Sequence, residues 1–500
     1  MRYRKPGPQN GRVNLSGLRS HNTARVLGLL RAAGAAGVSR LELAERTGLT
    51  PQAVSKITAR LRDEGLAAGA GRGVPTGGKP RTLLRLVPDA AHAVGLHLDR
   101  DELTAVLLDL AGATVAARTR PLDLGEGPGA VLAAAVEEVA ALRGDGTLTG
   151  VGIAMPGPLD HTAGVPHRVT GFPAWDGFPL RDTARRALAE RLGQDVPVAL
   201  DKDTNAAALA LALRADDDRE AGAGDREAAD DDREAADGVP GGRGGAPGGG
   251  GGSQDGRGGT PEGRGGAPDR LGAAPDDRGG PADGRGGSPD RPGGAPGRPG
   301  GTSGRVGVAP DGPGVTPGRV GVAPDGPGVT PDRPGAAPGG RPSAPPADGA
   351  ASFAYLHVGT GLGAGLVLAG VLHRGARTGA GEFGHQTVQL DGAACGCGGR
   401  GCLEALCLAA VARGDLDEAA RVLGAGAANL AGLLDVDRVL LGGRVVAAAP
   451  GPFLRGVGAA LADRARRAGE PPVPVALATG SPHLVAEGAA QLVLAPLFGR

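Results

Sequence analysis

The sequence predicts an α/β protein with a small helical module in front and, in its middle, a long block that cannot form a core. Three observations lead there. Short capped helices fill residues 16–88, strand and helix patterns alternate over residues 91–214 and resume over 351–500, and glycine and proline crowd residues 215–350. Five hundred residues leave room for two to four domains.

Residues 1–15 form a flexible basic lead without the apolar run of a signal peptide. No stretch approaches the roughly 18 uninterrupted apolar residues of a membrane span, so a cytoplasmic protein with no membrane partner is expected. From Asn22 to Ala33, Ala24, Val26, Leu27, Leu29 and Leu30 fall at helical spacing. Ser39 opens a second helix through Thr47, with Glu42 three residues on as a capping box and Gly48 as the stop. Thr50-Pro51 opens a third through Glu64, a capping hydroxyl followed by proline at the first helical position. A first helix, then two more joined by a glycine turn, is a helix-turn-helix. Leu66–Gly69 and Arg81–Val87 flank a Gly/Pro-rich tip and predict a hairpin wing.

On the third helix Val54, Ile57 and Leu61 share the inward face. That leaves Gln52, Ser55, Lys56, Thr58 and Arg60 for a groove of double-stranded DNA, where polar groups read bases and basic groups hold phosphates. Lys79 and Arg81, beside the wing tip, join them. Met1 to Pro88 hold sixteen Lys+Arg against four Asp+Glu, so this segment carries +12 in a chain of net charge zero. That is the electrostatic footprint of a nucleic-acid module. A solubilising basic tail would carry the charge without the helix spacing and the wing.

Beyond Ala91, His92–Leu98 and Leu103–Asp109 read as adjacent hairpin strands, Pro128–Leu142 as a helix and Leu148–Ala154 as a buried strand. Asp182–Leu192 reads as a helix, Val196–Leu200 as a strand, and Ser352–Leu368 resumes the sheet pattern. Residues 215–350 contain no Phe, Trp, Tyr or Ile and a single Leu, Leu271. Such a composition cannot offset an ordering entropy of roughly 1–2 kcal/mol per residue, so a disordered insertion extruded from one loop is expected.

His385, Cys395, Cys397 and Cys402 lie within eighteen residues among glycines that let the chain curl tightly. One imidazole and three thiolates make a closed tetrahedral set for a structural zinc ion. A thiol cluster or a disulfide pair is the alternative, less suited to a reducing compartment. Cys407 falls outside the spacing and reads as a small buried apolar group.

Gly379-Ala-Gly-Glu-Phe-Gly-His385, the Cys-x-Cys-x4-Cys that follows and its Gly-Cys-Leu-Glu404 ending resemble the signature of the ROK family of repressors, open reading frames and kinases. Val151–Pro158, Phe172–Leu180, Asp203–Ala208, Gly359–Gly365 and Val439–Gly443 agree, in family order, and the winged helix resembles the module in front of the family's sugar-responsive repressors. The resemblance implies an actin-like (ribonuclease H-like) two-lobed domain with a sugar in the cleft. It assigns Asp203 the place of the kinases' general base, and Glu382, His385 and Glu404 the sugar hydroxyls, with His385 also on zinc. Gly359, Thr360, Gly361 and Gly363 would be what is left of a phosphate loop.

Two departures separate this chain from the family's kinases. Where they open with an Asp-x-Gly-x-Thr loop, it has His97-Leu-Asp-Arg-Asp-Glu102, whose acids would repel a triphosphate, so ATP binding is not expected. Where they place an Asn beside the base it has Lys202, which would favour an ionised Asp203. Three readings follow: a DNA-binding regulator sensing a sugar or sugar phosphate as a homodimer or homotetramer, an active sugar kinase with a DNA-binding appendage, and a ligand-blind dimeric DNA-binding protein.

Overall fold

The computed structural model describes residues 21–72, 81–143, 146–216 and 351–500, all within one compact unit. The basic lead at residues 1–15, the tip of the wing with Lys79, and the expected insertion apart from residues 215–216, which end a helix, lie outside the described residues.

The N-terminal head holds α1 (His21–Ala32), β1 (Val38–Ser39), α2 (Arg40–Thr47), α3 (Pro51–Asp63), β2 (Ala67–Arg72) and β3 (Thr82–Leu86). The capping chemistry explains the helix starts. The Ser39 hydroxyl accepts from the Glu42 amide at 3.2 Å while Glu42 accepts from the Ser39 amide at 2.8 Å, and Gly48 closes α2 in the left-handed conformation. The Thr50 hydroxyl accepts from the Ala53 amide at 3.2 Å ahead of Pro51. β2 and β3 pair antiparallel as the stem of the wing, with β1 on the other side of β3.

Two five-stranded sheets follow. The first is built from β4 (His92–Leu98), β5 (Glu102–Asp109), β6 (Thr114–Pro121), β7 (Leu148–Met155) and β10 (Val198–Lys202), in the order β10-β7-β4-β5-β6. Its face is covered by α4 (Pro128–Arg143) and α5 (Leu180–Leu192), and β8 (Leu159–Asp160) and β9 (Val165–Pro166) form a small ribbon between them. The second is built from β11 (Phe353–Val358), β12 (Leu362–Leu368), β13 (Val371–Leu372), β14 (Arg438–Gly442) and β15 (Val475–Leu477), in the order β13-β12-β11-β14-β15. In both, a three-stranded antiparallel meander is extended by two parallel strands on the first strand's free side. The same topology twice is the two-lobed, actin-like arrangement.

A helix over residues 203–216, α6, runs from the end of β10. The second lobe adds α7 (Leu403–Ala412), α8 (Leu416–Leu434), α9 (Arg444–Ala448) and α10 (Pro450–Ala468), and α11 (Leu484–Leu494) closes the chain against the first sheet. Contact there is close because the strands are bare: a Cβ on Gly95 or Gly152 would sit 1.9 Å or 1.7 Å from α11 carbonyls. The far end of α11 and the final turn supply Leu494, Leu497 and Phe498 to one core shared with Leu27, Leu30 and Leu61 of the head and Val106 and Leu108 of the first sheet. The Arg31 guanidinium stacks over the Phe498 ring at 5.1 Å. Head and first lobe are therefore one packed body.

Two expectations change. The strand read at Val196–Leu200 runs instead over Val198–Lys202, because β10 pairs with β7 from Val151 as far as Met155. Edge strand β6 carries Thr and Arg on a mostly exposed ribbon, so its sequence lacks the apolar alternation that marked its neighbours.

Candidate functional site

On α3 of the head, Gln52, Ser55 and Lys56 are exposed, and so is Arg81 at the base of the wing. Thr58, expected at the groove, is instead fully buried. Its hydroxyl donates to the Val54 carbonyl at 2.9 Å and accepts from Arg40 Nε at 3.3 Å, so the helix turns about one position further inward than the apolar pattern suggested. Arg60 is tied within the head, donating to the Thr23 hydroxyl at 2.8 Å.

The ends of β4, β10, β11 and β12 converge on a cleft between the sheets. It is lined by Asp99, Arg100, Lys202, Asp203, Thr360, Glu382, His385 and Glu404 among others, so the structure gathers all four residues assigned to a sugar. Asp203 starts α6 directly behind β12. That approach requires Gly365, where a Cβ would meet the Thr204 carbonyl at 2.1 Å. Burial, opposed mainly by the Thr204 amide, pushes the Asp203 carboxyl up to about 7. The expected help from Lys202 is weaker than burial, because the lysine bonds elsewhere: its Nζ donates to the Ala380 carbonyl and, at 3.1 Å, to Glu382 Oε1. Glu404 accepts from the Leu362 amide at 2.9 Å, which fixes α7 to the turn of the second sheet.

The acids of the first turn do not stand bare. Arg444, following Gly442-Gly443, donates to Asp99 at 2.6 Å and to both oxygens of Asp101 at 2.8 and 2.5 Å. Asp99 also accepts from the Thr360 hydroxyl at 2.8 Å and the Arg100 amide at 2.7 Å. Burial raises the Asp99 carboxyl, but His97 and these donors outweigh it and hold it at about 2. A phosphate would thus meet an ion pair already formed, rather than acids alone. Sequence reasoning missed Arg444, since its partners lie more than 340 residues away and nothing local marks it.

A larger cavity of about 480 Å3 shares Asp99 and His357 with the cleft and is walled by Tyr355, Gly443, Arg444 and the first turn of α11. The rings of His97 and His357 face it. Burial lowers both, His357 to about 4, so both are neutral at pH 7.

Below the cleft the ligating atoms of His385, Cys395, Cys397 and Cys402 lie within 4.8 Å of one another. His385 Nδ1 is 3.8 Å from Cys395 Sγ, and the sulfurs of Cys397 and Cys402 are 3.7 Å apart. A tetrahedron with arms of about 2.3 Å has edges of about 3.8 Å, so the donor set fits zinc. Burial and the adjacent sulfurs push the Cys402 thiol up to about 12, so a thiolate at that position needs a cation beside it. All four cysteines are free, and Cys407 is buried with its thiol toward the Ala419 carbonyl.

Residues 346–413 match the ROK family, and residues 19–67 match the winged helix-turn-helix DNA-binding family. The chain carries a ROK-family domain. Together with its head it shares the fold of a ROK family transcriptional regulator, a homologue of the E. coli MLC protein, at a TM-score of 0.56 and 18% identity over 96% of this chain and 97% of that one. The chain is also similar to kanosamine kinase of Amycolatopsis mediterranei, 35% identical over 149 residues, which cover 24% of this chain and 48% of the kinase. An uncharacterized protein, y4fQ of Sinorhizobium fredii, is 28% identical over 188 residues, 36% of this chain and 46% of that protein. The chain spans about half the length of these curated relatives. Among the described residues, no helix is long and apolar enough to cross a membrane.

Proposed function

We propose that this chain is a cytoplasmic, sugar-responsive transcription regulator of carbohydrate genes, acting as a repressor, in which the ROK cleft senses a sugar and the winged head binds an operator. The observation that carries this reading is the core common to head, first sheet and α11, because any rearrangement of the lobes displaces the reading helix with it. Gln52, Ser55 and Lys56 face the major groove, and Arg81 faces the backbone. Asp203, Glu382, His385 and Glu404 receive the sugar hydroxyls, and zinc, when bound, fixes His385 and the loop that carries Cys395 to Cys402. Two heads of a homodimer or homotetramer then meet half-sites one helical turn or a multiple apart. The effector works by binding the operator-bound and free forms with different affinity.

Arg444 on Asp99 and Asp101 supports loss of kinase activity, since it fills the place of the phosphate contacts. Asp203, at about 7, favours the second reading, a sugar kinase, because a carboxylate titrating near neutrality suits a general base. The deciding experiment maps genomic sites bound by the full chain, then measures affinity for those sites with and without sugars. Lys56→Ala should weaken binding on every sequence and flatten its salt dependence. Sugar phosphorylation by ATP and Mg2+ above background would favour the kinase, and operator binding untouched by every sugar would favour the ligand-blind form.

A further inference from the structure

Beside the cleft, the cavity of about 480 Å3 has no part in holding a sugar or an operator, yet it exceeds the roughly 300 Å3 at which ligand pockets begin. Leu441, Val446, Leu477 and Leu484 give it apolar walls. Tyr355 and His357 close one side, their rings already meeting edge to face with centroids 6.0 Å apart. Most polar groups on the wall are bonded. The Tyr355 hydroxyl and His357 Nδ1 share a hydrogen bond of 3.0 Å, the Thr104 hydroxyl lies 3.2 Å from both Glu102 and Thr119, and the Ser481 hydroxyl donates to Glu487 at 2.6 Å. Arg444, the one arginine or lysine among the described lining residues, is held by Asp99 and Asp101. Of the other titratable groups, Glu102 is exposed and acidic and His483 is half-buried. His97 differs from all of these, because its Nε2 is buried with no hydrogen-bond partner.

This wall selects by what it withholds. A sugar needs a partner for every hydroxyl and an anion needs a free cation, whereas the cavity offers apolar surface, aromatic edges and one unmatched ring nitrogen. A flat ring can extend the stack of Tyr355 on His357, and one hydrogen bond would relieve His97. We propose that this cavity is a second ligand site, separate from the sugar cleft, for an uncharged aromatic molecule whose single hydroxyl or ring nitrogen bonds His97 Nε2. Its position gives such a ligand leverage: Asp99, bonded to Arg444, lines both spaces, and the first turn of α11 walls the cavity while the far end of that helix enters the core of the head.

The experiment follows 2-naphthol binding to the full chain by fluorescence and calorimetry, against naphthalene, 2-naphthoate, adenosine and ATP. 2-Naphthol should saturate one site per chain. It should bind about threefold to tenfold tighter than naphthalene, the effect of one hydrogen bond, and about tenfold or more tighter than 2-naphthoate, whose carboxylate would be buried without a cation. His97→Phe should reduce the affinity for 2-naphthol to that for naphthalene. Leu477→Asp, at a side chain 38% exposed and so tolerant of change, should weaken both about tenfold. The proposal is overturned if 2-naphthol does not bind below about 1 mM or does not saturate at one site. It is equally overturned if naphthalene or 2-naphthoate binds as tightly, or if both variants keep wild-type affinity with native circular dichroism. Adenosine or ATP binding tighter than 2-naphthol would assign the cavity to a nucleotide and overturn it as well.

Discussion

The two lobes carry the same three-residue turn at the same place in the same topology, between the first two strands of each sheet. In the second lobe it is Gly359-Thr360-Gly361; in the first it is Asp99-Arg100-Asp101. One kept small residues whose backbone a ligand can approach, and the other filled with charge. The fasteners differ as well. The glycine turn is anchored through Glu404, two residues beyond Cys402 of the His/Cys3 cluster, whereas the charged turn is held by Arg444 reaching from the other lobe. They touch through the Thr360 hydroxyl on Asp99. Duplicated architecture thus fixes where two loops meet and leaves their chemistry free to diverge.

The largest effect should come from the metal. Replacing Cys402 by Ser should abolish zinc stoichiometry and cost more than about 4 kcal/mol, loosening the second turn while the head keeps its helix content. Metal analysis with denaturant unfolding checks it, and full stability without zinc would end the claim that the glycine turn is fastened by an ion.

Next comes Asp203, close behind both turns. Its carboxyl is raised to about 7, so its favourable contribution is complete below about pH 4, declines as pH rises and is gone above about 7. Relative to Asp203→Asn, wild-type stability should fall by up to about 4 kcal/mol between pH 4 and 8. A difference independent of pH would show that the carboxyl is solvated.

Arg444→Ala should destabilise by about 1–2 kcal/mol, because the arginine is nearly half exposed and its pairs are screened. Adding Asp99→Asn and Asp101→Asn should recover most of that loss. Asp99 is depressed to about 2, so its contribution is present above about pH 4 and is lost as pH falls toward 2; Arg444→Ala should narrow that acid-labile window. Smallest is Thr360→Val, which deletes the contact between the turns at a cost of about 1 kcal/mol, readable as faster amide exchange in both.

Much of the fold is written locally. Ser39 with Glu42, and Thr50 before Pro51, announce helix starts because the partners lie three residues apart, and the central strands β4, β5, β7 and β11 show as apolar runs because both faces are covered. The cluster of His385, Cys395, Cys397 and Cys402 was legible for the same reason: the loop that closes it is short. Thr58 was misread because its hydroxyl satisfies itself on its own helix and so tolerates burial, which an apolar count cannot register. β6 was missed because an edge strand has little apolar alternation to show. Arg444 and the true partner of Lys202 depend on contacts between distant segments, and only folding brings those together.

The shared core under the head has a practical corollary. Leu497 and Phe498, at the very end of the chain, wedge beneath the first helix. A fragment cut after residue 88 would uncover the apolar underside of its helices, and trimming the last dozen residues would do the same from the opposite direction. The first helix and the final turn act as a single keystone, so the fold of the head depends on the last turn as much as on its own helices.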